Sequence, residues 1–419
     1  MKNLTLRFSF IILIFIASFN AQTTKEELLS DTRYVGGLYC PYIYESSTTT
    51  APPEGYKPFY ISHYGRHGSR WINHPEYHSI LKNIFIKADS ANILTDLGKS
   101  LFERIKLIAE DAEDRYGDLS PLGVVEEKDI AERMFKSFPE VFSTSDDRIC
   151  YIYGRSTQVP RCILSLAANN ERLKELNPNI EITREATKRN RYLNHDGEIN
   201  KDTVEVIAND FLKKHLNTSR FITSIFSDTS YAQKLIEDTG NFAYLVFSTA
   251  INMANLDYLN ISMFDVFTDD ELFILWQVSN LKMYYRVGPS PVNGEIAMES
   301  AGLLLRDILD CAENAIKDKN ISADLRFGHD TYIIPLLALM DIKGMNVQES
   351  DPEKVYMAWS NFKASPMGSN LQIIFYSNDN DDVLVKFLHC EKETTIPVKT
   401  DIAPYYHWKD VKTYYEEKI

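Results

Sequence analysis

The densest chemistry in this chain lies in Arg66-His67-Gly68-Ser69-Arg70, where two guanidiniums flank an imidazole beside a glycine. Guanidiniums grip phosphate oxygens bidentately, a neutral imidazole nitrogen is a nucleophile, and glycine lets backbone approach a ligand closely. The combination reads as the floor of a phosphate-binding site built for covalent phosphoryl transfer. A basic surface loop contains the same residue types, so the run needs support from elsewhere in the chain.

Two later segments supply that support. The alternating stretch 148–153 predicts a strand ending at Gly154, and Arg155-Ser156-Thr157 then adds a third guanidinium. Arg161 falls inside the following helix and reads as support for the site, with Arg155 as the phosphate ligand. In Leu325-Arg-Phe-Gly-His-Asp-Thr331 a short strand runs into an apolar helix over 333–340. His329 and Asp330 sit where the free N–H groups of a helix start favour an anion. On its own, Asp330 would be a helix cap.

The elements that must position these residues are strands at 58–62, 148–153, 325–327, 371–376 and 383–388, with helices at 79–91 and 97–114. Leu94-Thr-Asp-Leu97-Gly98 and Leu119-Ser-Pro-Leu-Gly123 read as two similar helix starts. Strand character lapses between about 171 and 318, where helices are predicted over 211–226, 232–238, 269–286 and 296–317. The expected fold is α/β, an open, mostly parallel sheet with flanking helices. Residues 22–170 and 319–419 would form this core and 171–318 an inserted helical domain. In such sheets ligands bind beyond the carboxyl ends of the strands, where all three segments fall.

At 419 residues, 44% apolar, the chain exceeds what one core usually serves. Its net charge of −14 excludes a general polyanion binder and nucleic acid as partner, so an anionic ligand requires a local basic pocket. Lys2 and Arg7 precede an apolar run at 8–19, and Ala17, Ser18 and Ala21 prepare a cut before Gln22. Residues 1–21 therefore read as a cleaved secretory signal, too short for the roughly 20 residues of a membrane span. The expected location is periplasmic or secreted, without membrane insertion after cleavage. The cysteine count of 5 is odd; Cys150 and Cys162 bracket the second arginine segment and are candidates for a bridge.

With RHGSR, RSTQVPR and GHDT in that order around a helical stretch, the chain resembles the histidine acid phosphatases of branch 2 over most of its mature length. Within them it is similar to the multiple inositol polyphosphate phosphatases and histidine-type phytases. That narrower likeness rests on Asp31-Thr-Arg-Tyr34, Leu325-Arg-Phe-Gly-His329, Gly368-Ser-Asn-Leu371 and Leu388-His-Cys-Glu391. The resemblance implies that Arg66, Arg70 and Arg155 hold the phosphoryl oxygens and that His67 attacks phosphorus. His329 would add a donor and Asp330 would protonate the departing alkoxide. Clustered guanidiniums stabilise the transferring charge, so no metal or cofactor is implied. The implied substrate is a small phosphomonoester, first of all an inositol polyphosphate such as phytate. Lys188-Arg189-Asn190-Arg191 either extends the basic pocket toward further phosphates or is a solvated charge run.

Two positions depart from the family pattern. His329-Asp330-Thr331 stands where the inositol-phosphate branch carries His-Ala-Glu, and Trp71-Ile72 stands where a proline commonly follows the second arginine by two. Alternatives to the narrower reading are a broad acid phosphatase for sugar or nucleotide monoesters and a non-catalytic organic-phosphate binder, although binding alone needs neither His67 nor Asp330. A zinc hydrolase using His63 and His67, or His74 and His78, is disfavoured because Gly65, Gly68 and Pro75 interrupt a helix.

Overall fold

The computed structural model describes residues 23–145, 148–193 and 199–419. The expected signal at 1–21 lies outside the described residues.

Strands β1 (Lys57–Arg66), β2 (Tyr151–Ser156), β3 (Glu181–Glu185), β4 (Ile321–Gly328), β5 (Asn370–Ser377), β6 (Val383–His389) and β7 (Lys392–Thr394) form one sheet. Their order is β3-β2-β4-β1-β5-β6-β7, with β8 (Tyr406–His407) also pairing with β6. β3, β2, β4 and β1 are parallel, and the strands from β5 onward are antiparallel to their neighbours. The open α/β sheet with flanking helices is thus present, its parallel core extended by an antiparallel C-terminal flank.

Successive strand residues face opposite sides, so Leu371, Ile373 and Phe375 of β5 pack into one core while Ile374 and Tyr376 pack into the other. Helices Pro121–Ser137 and Pro160–Leu176 cover the second face, where Ala131, Met134, Leu166 and Leu173 meet Ile152, Leu325 and Phe327. Helices Gly294–Lys317 and Asp330–Leu339 lie on the first. β4 is longer than the predicted 325–327 because its buried run includes Ser322 and Asp324, which mask the apolar signal.

The helical part differs from expectation in two ways. β3 lies inside 171–318, where no strand was expected. Its sequence, Glu-Ile-Thr-Arg-Glu, has one apolar residue and a largely exposed edge position, so backbone pairing with β2 holds it without a hydrophobic pattern. Helices Pro75–Ser90 and Asp96–Asp111 also join the helical layer: Leu81, Phe85, Leu101 and Phe102 share a core with Phe221, Phe226 and Phe242. The helical layer is therefore built from two separated segments, one of them ahead of β2.

The two similar helix starts are capped alike. Thr95 Oγ1 accepts the Gly98 N–H at 3.0 Å and Ser120 Oγ accepts the Gly123 N–H at 3.3 Å, each satisfying a donor at a helix N-terminus.

Candidate active site

β1 and β4 are parallel neighbours in which Arg66 pairs with Gly328, so the loops after them leave the sheet side by side. The His67 N–H donates to the Gly328 carbonyl at 3.1 Å and fixes that adjacency. The first loop then runs against the start of helix Pro121–Ser137. A Cβ on Gly68 would lie 2.5 Å from the Gly123 carbonyl oxygen, so this approach admits only glycine. From the helical layer, Asn252 accepts the Ile72 N–H and donates to the Arg70 carbonyl, both at 2.9 Å.

His67 is buried, with Nδ1 at 2.9 Å from the Gly68 carbonyl oxygen. A carbonyl only accepts, so Nδ1 carries the proton and Nε2 is left with its lone pair. Burial, and after it the charges of Arg66, Arg70 and Arg161, hold this imidazole well below its ordinary pKa. Both causes favour the neutral imidazole. The His329 ring meets it edge-on at 5.6 Å.

Arg66 is fully buried. Its Nη1 donates to the Leu38 and Ser365 carbonyls at 2.7 Å, and its Nη2 to Asp330 Oδ2 at 2.8 Å. Arg70 donates to the Tyr39 hydroxyl at 3.1 Å, with its guanidinium 4.8 Å from the Tyr39 ring centre. Asp330 is the first residue of its helix, and its Oδ1 accepts the Thr331 N–H at 2.7 Å. Burial alone would raise the Asp330 carboxyl, but Arg66, Arg70 and that N–H outweigh it and hold the group below its usual range. His329 Nε2 lies 3.3 Å from Thr157 Oγ1, and burial followed by Arg161 pushes its pKa down to about 4.

His67, Arg70, Arg161, His329 and Asp330 line one cavity of about 430 Å³; Arg66, expected there with them, is buried beside Asp330 and does not line it. Lys282 and Arg286 from helix Asp269–Val287 also line it, as does Glu205, whose Oε2 lies 2.9 Å from Lys282 Nζ. Sequence reasoning did not find these two cations, because a long, mostly buried helix with scattered charges has no local motif to mark them.

The arginine of the second segment that borders the cavity is Arg161. Arg155 instead places Nη2 at 2.6 Å from Asp324 Oδ1 and Nη1 at 3.2 Å from Asp307 Oδ2. Arg326 completes this network with Nε at 2.7 Å from Asp307. Arg155 lies within β2 and is spent on carboxylates of β4 and helix Gly294–Lys317, whereas the turn into helix Pro160–Leu176 brings Arg161 back over the strand ends. The sequence-based assignment of the two arginines is thus corrected in placement.

Residues 65–389 match the family model of the histidine phosphatase superfamily (branch 2). The chain belongs to that superfamily. No curated protein matches it significantly. Among solved structures, a Bifidobacterium longum multiple inositol polyphosphate phosphatase in complex with inositol hexasulfate superposes with a TM-score of 0.76 at 18% identity, over 91% of this chain and 97% of that one. A phytase from D. castellii gives 0.67 at 16% identity over 92% and 85%. A Hafnia alvei phytase gives 0.51 at 13% over 88% and 98%. At these identities the likeness establishes the shared fold.

The remaining expected residues of this histidine phosphatase superfamily member sit at its margins. Lys188 and Arg191 line a neighbouring depression with Thr157 and Gln158; Val159 borders both it and the main cavity. Cys150 and Cys162 are not bridged, and Cys162 Sγ instead lies 3.6 Å from His329 Nε2. Trp71 is packed, donating from Nε1 to Asp111 at 2.9 Å. His63 is buried in β1 against Phe327, so the spacing of His63 and His67 falls on extended chain and not on one helix face. Among the described residues, no helix is long and apolar enough to cross a membrane.

Proposed function

We propose that this protein is an exported phosphomonoester hydrolase that passes a phosphoryl group through His67, with inositol polyphosphates as its substrates. The observation that carries the reading is the contact of His67 Nδ1 with the Gly68 carbonyl, which leaves Nε2 free, with guanidiniums around it and the Asp330 carboxyl on the adjoining loop.

In this mechanism Arg66, Arg70 and Arg161 hold the non-bridging oxygens and His329 donates a further hydrogen bond. A bond forms from Nε2 to phosphorus as the phosphorus–ester oxygen bond breaks, and its electron pair leaves with the oxygen. Asp330 protonates that oxygen, because an alkoxide is a poor leaving group. Water then attacks the phosphohistidine and gives its proton to Asp330, which releases phosphate and restores the imidazole. Arg155 supports the strands from outside the cavity in this account.

Several features support the substrate class. Arg286 in the cavity, and Lys188 and Arg191 in the neighbouring depression, supply positive charge beyond what one phosphate needs, while Lys282 is paired with Glu205 of the same cavity at 2.9 Å. The solved fold neighbours include enzymes named for inositol polyphosphates and phytate. The sequence at 1–21 supports export.

The test is to incubate purified protein with phytate and with simple phosphomonoesters, with chelator present, from acid to neutral pH. Phosphate release from phytate on the acid side supports the reading. Release from simple monoesters alone transfers it to a broad acid phosphatase, and release from neither overturns it.

A further inference from the structure

The imidazole of His67 takes its orientation from the Gly68 carbonyl, so whatever fixes that carbonyl also aims Nε2. The Gly68 carbonyl and the Ser69 N–H are two ends of one rigid planar peptide unit. The carbonyl end accepts His67 Nδ1–H; the N–H end is gripped by Glu126 of helix Pro121–Ser137. Ser69 N donates to Glu126 Oε2 at 2.6 Å, the Ser69 hydroxyl to Oε1 at 2.9 Å and the Tyr42 N–H to Oε1 at 2.7 Å. Glu126 is 6% exposed, and a buried carboxylate is costly unless its oxygens are satisfied.

The pattern of donors calls for two acceptor oxygens, which a carboxyl group supplies. Backbone N–H groups approach both oxygens, and neither can act as an acceptor in return. A glutamine of the same shape would turn its NH₂ against one of them. Hydrogen bonding at the N–H end also polarises the peptide and strengthens its carbonyl as an acceptor. The preceding peptide is held separately, by Ser165 Oγ accepting the Gly68 N–H at 3.1 Å.

We propose that Glu126 is the positioning residue of the nucleophile, clamping the Gly68–Ser69 peptide so that its carbonyl fixes both the tautomer of His67 and the line of its Nε2 lone pair. This rests on His67 being the phosphoryl acceptor. Glu126 touches no substrate, so its loss weakens the attack and leaves the guanidiniums in place.

The experiment measures phosphoenzyme formation per trapped site and inhibition by inorganic phosphate in wild type, Glu126→Gln and Glu126→Asp. Misaligned attack predicts formation slowed about 10²-fold in Glu126→Gln, with inorganic phosphate binding within about threefold of wild type. Glu126→Asp keeps a carboxylate and should lie between the two. A formation rate within about threefold of wild type, or phosphate binding lost in step with the rate, overturns the proposal. Should Glu126→Gln not fold, ¹⁵N spectra of the wild type still decide, since the clamp requires the Nδ1–H tautomer of His67 and an Nε2–H tautomer contradicts it. Absence of any phosphohistidine in wild type overturns the functional reading together with this one, whereas an intact intermediate with an unaffected variant overturns this one alone.

Discussion

Arg66 Nη2 and Asp330 Oδ2 stand 2.8 Å apart, the guanidinium fully buried and the carboxylate at the cavity floor. The proposed deepest oxyanion donor and the proposed proton donor therefore neutralise each other. A phosphate dianion competes for Arg66 and repels the Asp330 charge, so substrate binding itself drives the carboxyl toward its protonated form.

The pH profiles should show this coupling. In the free protein the Asp330 carboxyl lies below its usual range, so kcat/KM for an alkyl phosphate should fall as pH rises from a low value. With substrate bound the carboxyl is raised, so the descending limb of kcat should lie at higher pH than that of kcat/KM. His67 is held well below its ordinary value by burial and the neighbouring arginines, so its protonation should not cut activity in the mildly acid range. Steady-state profiles on one slow alkyl substrate check both points, and coincident limbs would contradict the coupling.

Asp330→Asn separates proton donation from helix capping. Nitrophenolate leaves without a proton and an alkoxide does not, so alkyl phosphate or phytate hydrolysis should fall about 10²-fold or more while nitrophenyl phosphate hydrolysis falls far less. The comparison is made where phosphoryl transfer limits the rate. Equal losses in a folded variant would remove Asp330 as general acid, since asparagine still caps the helix.

Arg161 and Arg155 should separate by phenotype. Arg161→Ala should lower kcat/KM about 10²-fold with little change in melting temperature, as expected for a lost oxyanion donor. Arg155→Ala removes the ion pair of the buried Asp324 carboxylate, leaving it the Tyr60 hydroxyl, and should cost about 3 kcal/mol of stability, while the folded fraction keeps kcat within a few-fold of wild type. Thermal melts beside kinetics decide it, and the reverse pattern would restore Arg155 to the phosphate.

The residues legible in the sequence were those whose chemistry is local. His67 and its flanking arginines occupy one run, and His329-Asp330 follows a strand directly, so motif and element coincide. Arg155 and Arg161 were misplaced because strand-end geometry decides which side chain faces the cavity, and five residues of turn and helix start separate two equivalent guanidiniums. Lys282 and Arg286 were invisible because they reach the cavity only through the packing of distant helices. β3 escaped for a related reason: an exposed edge strand is specified by its neighbour's backbone, and Glu-Ile-Thr-Arg-Glu carries almost no apolar pattern.

The central claim is that His67 Nε2 carries the phosphoryl group. Rapid acid or base quench of the wild type with ³²P-labelled substrate, followed by peptide mapping, measures this directly. The account predicts an acid-labile, base-stable label on His67, and no label and no turnover in His67→Ala. A label on another residue, or near-normal turnover by folded His67→Ala, would contradict it.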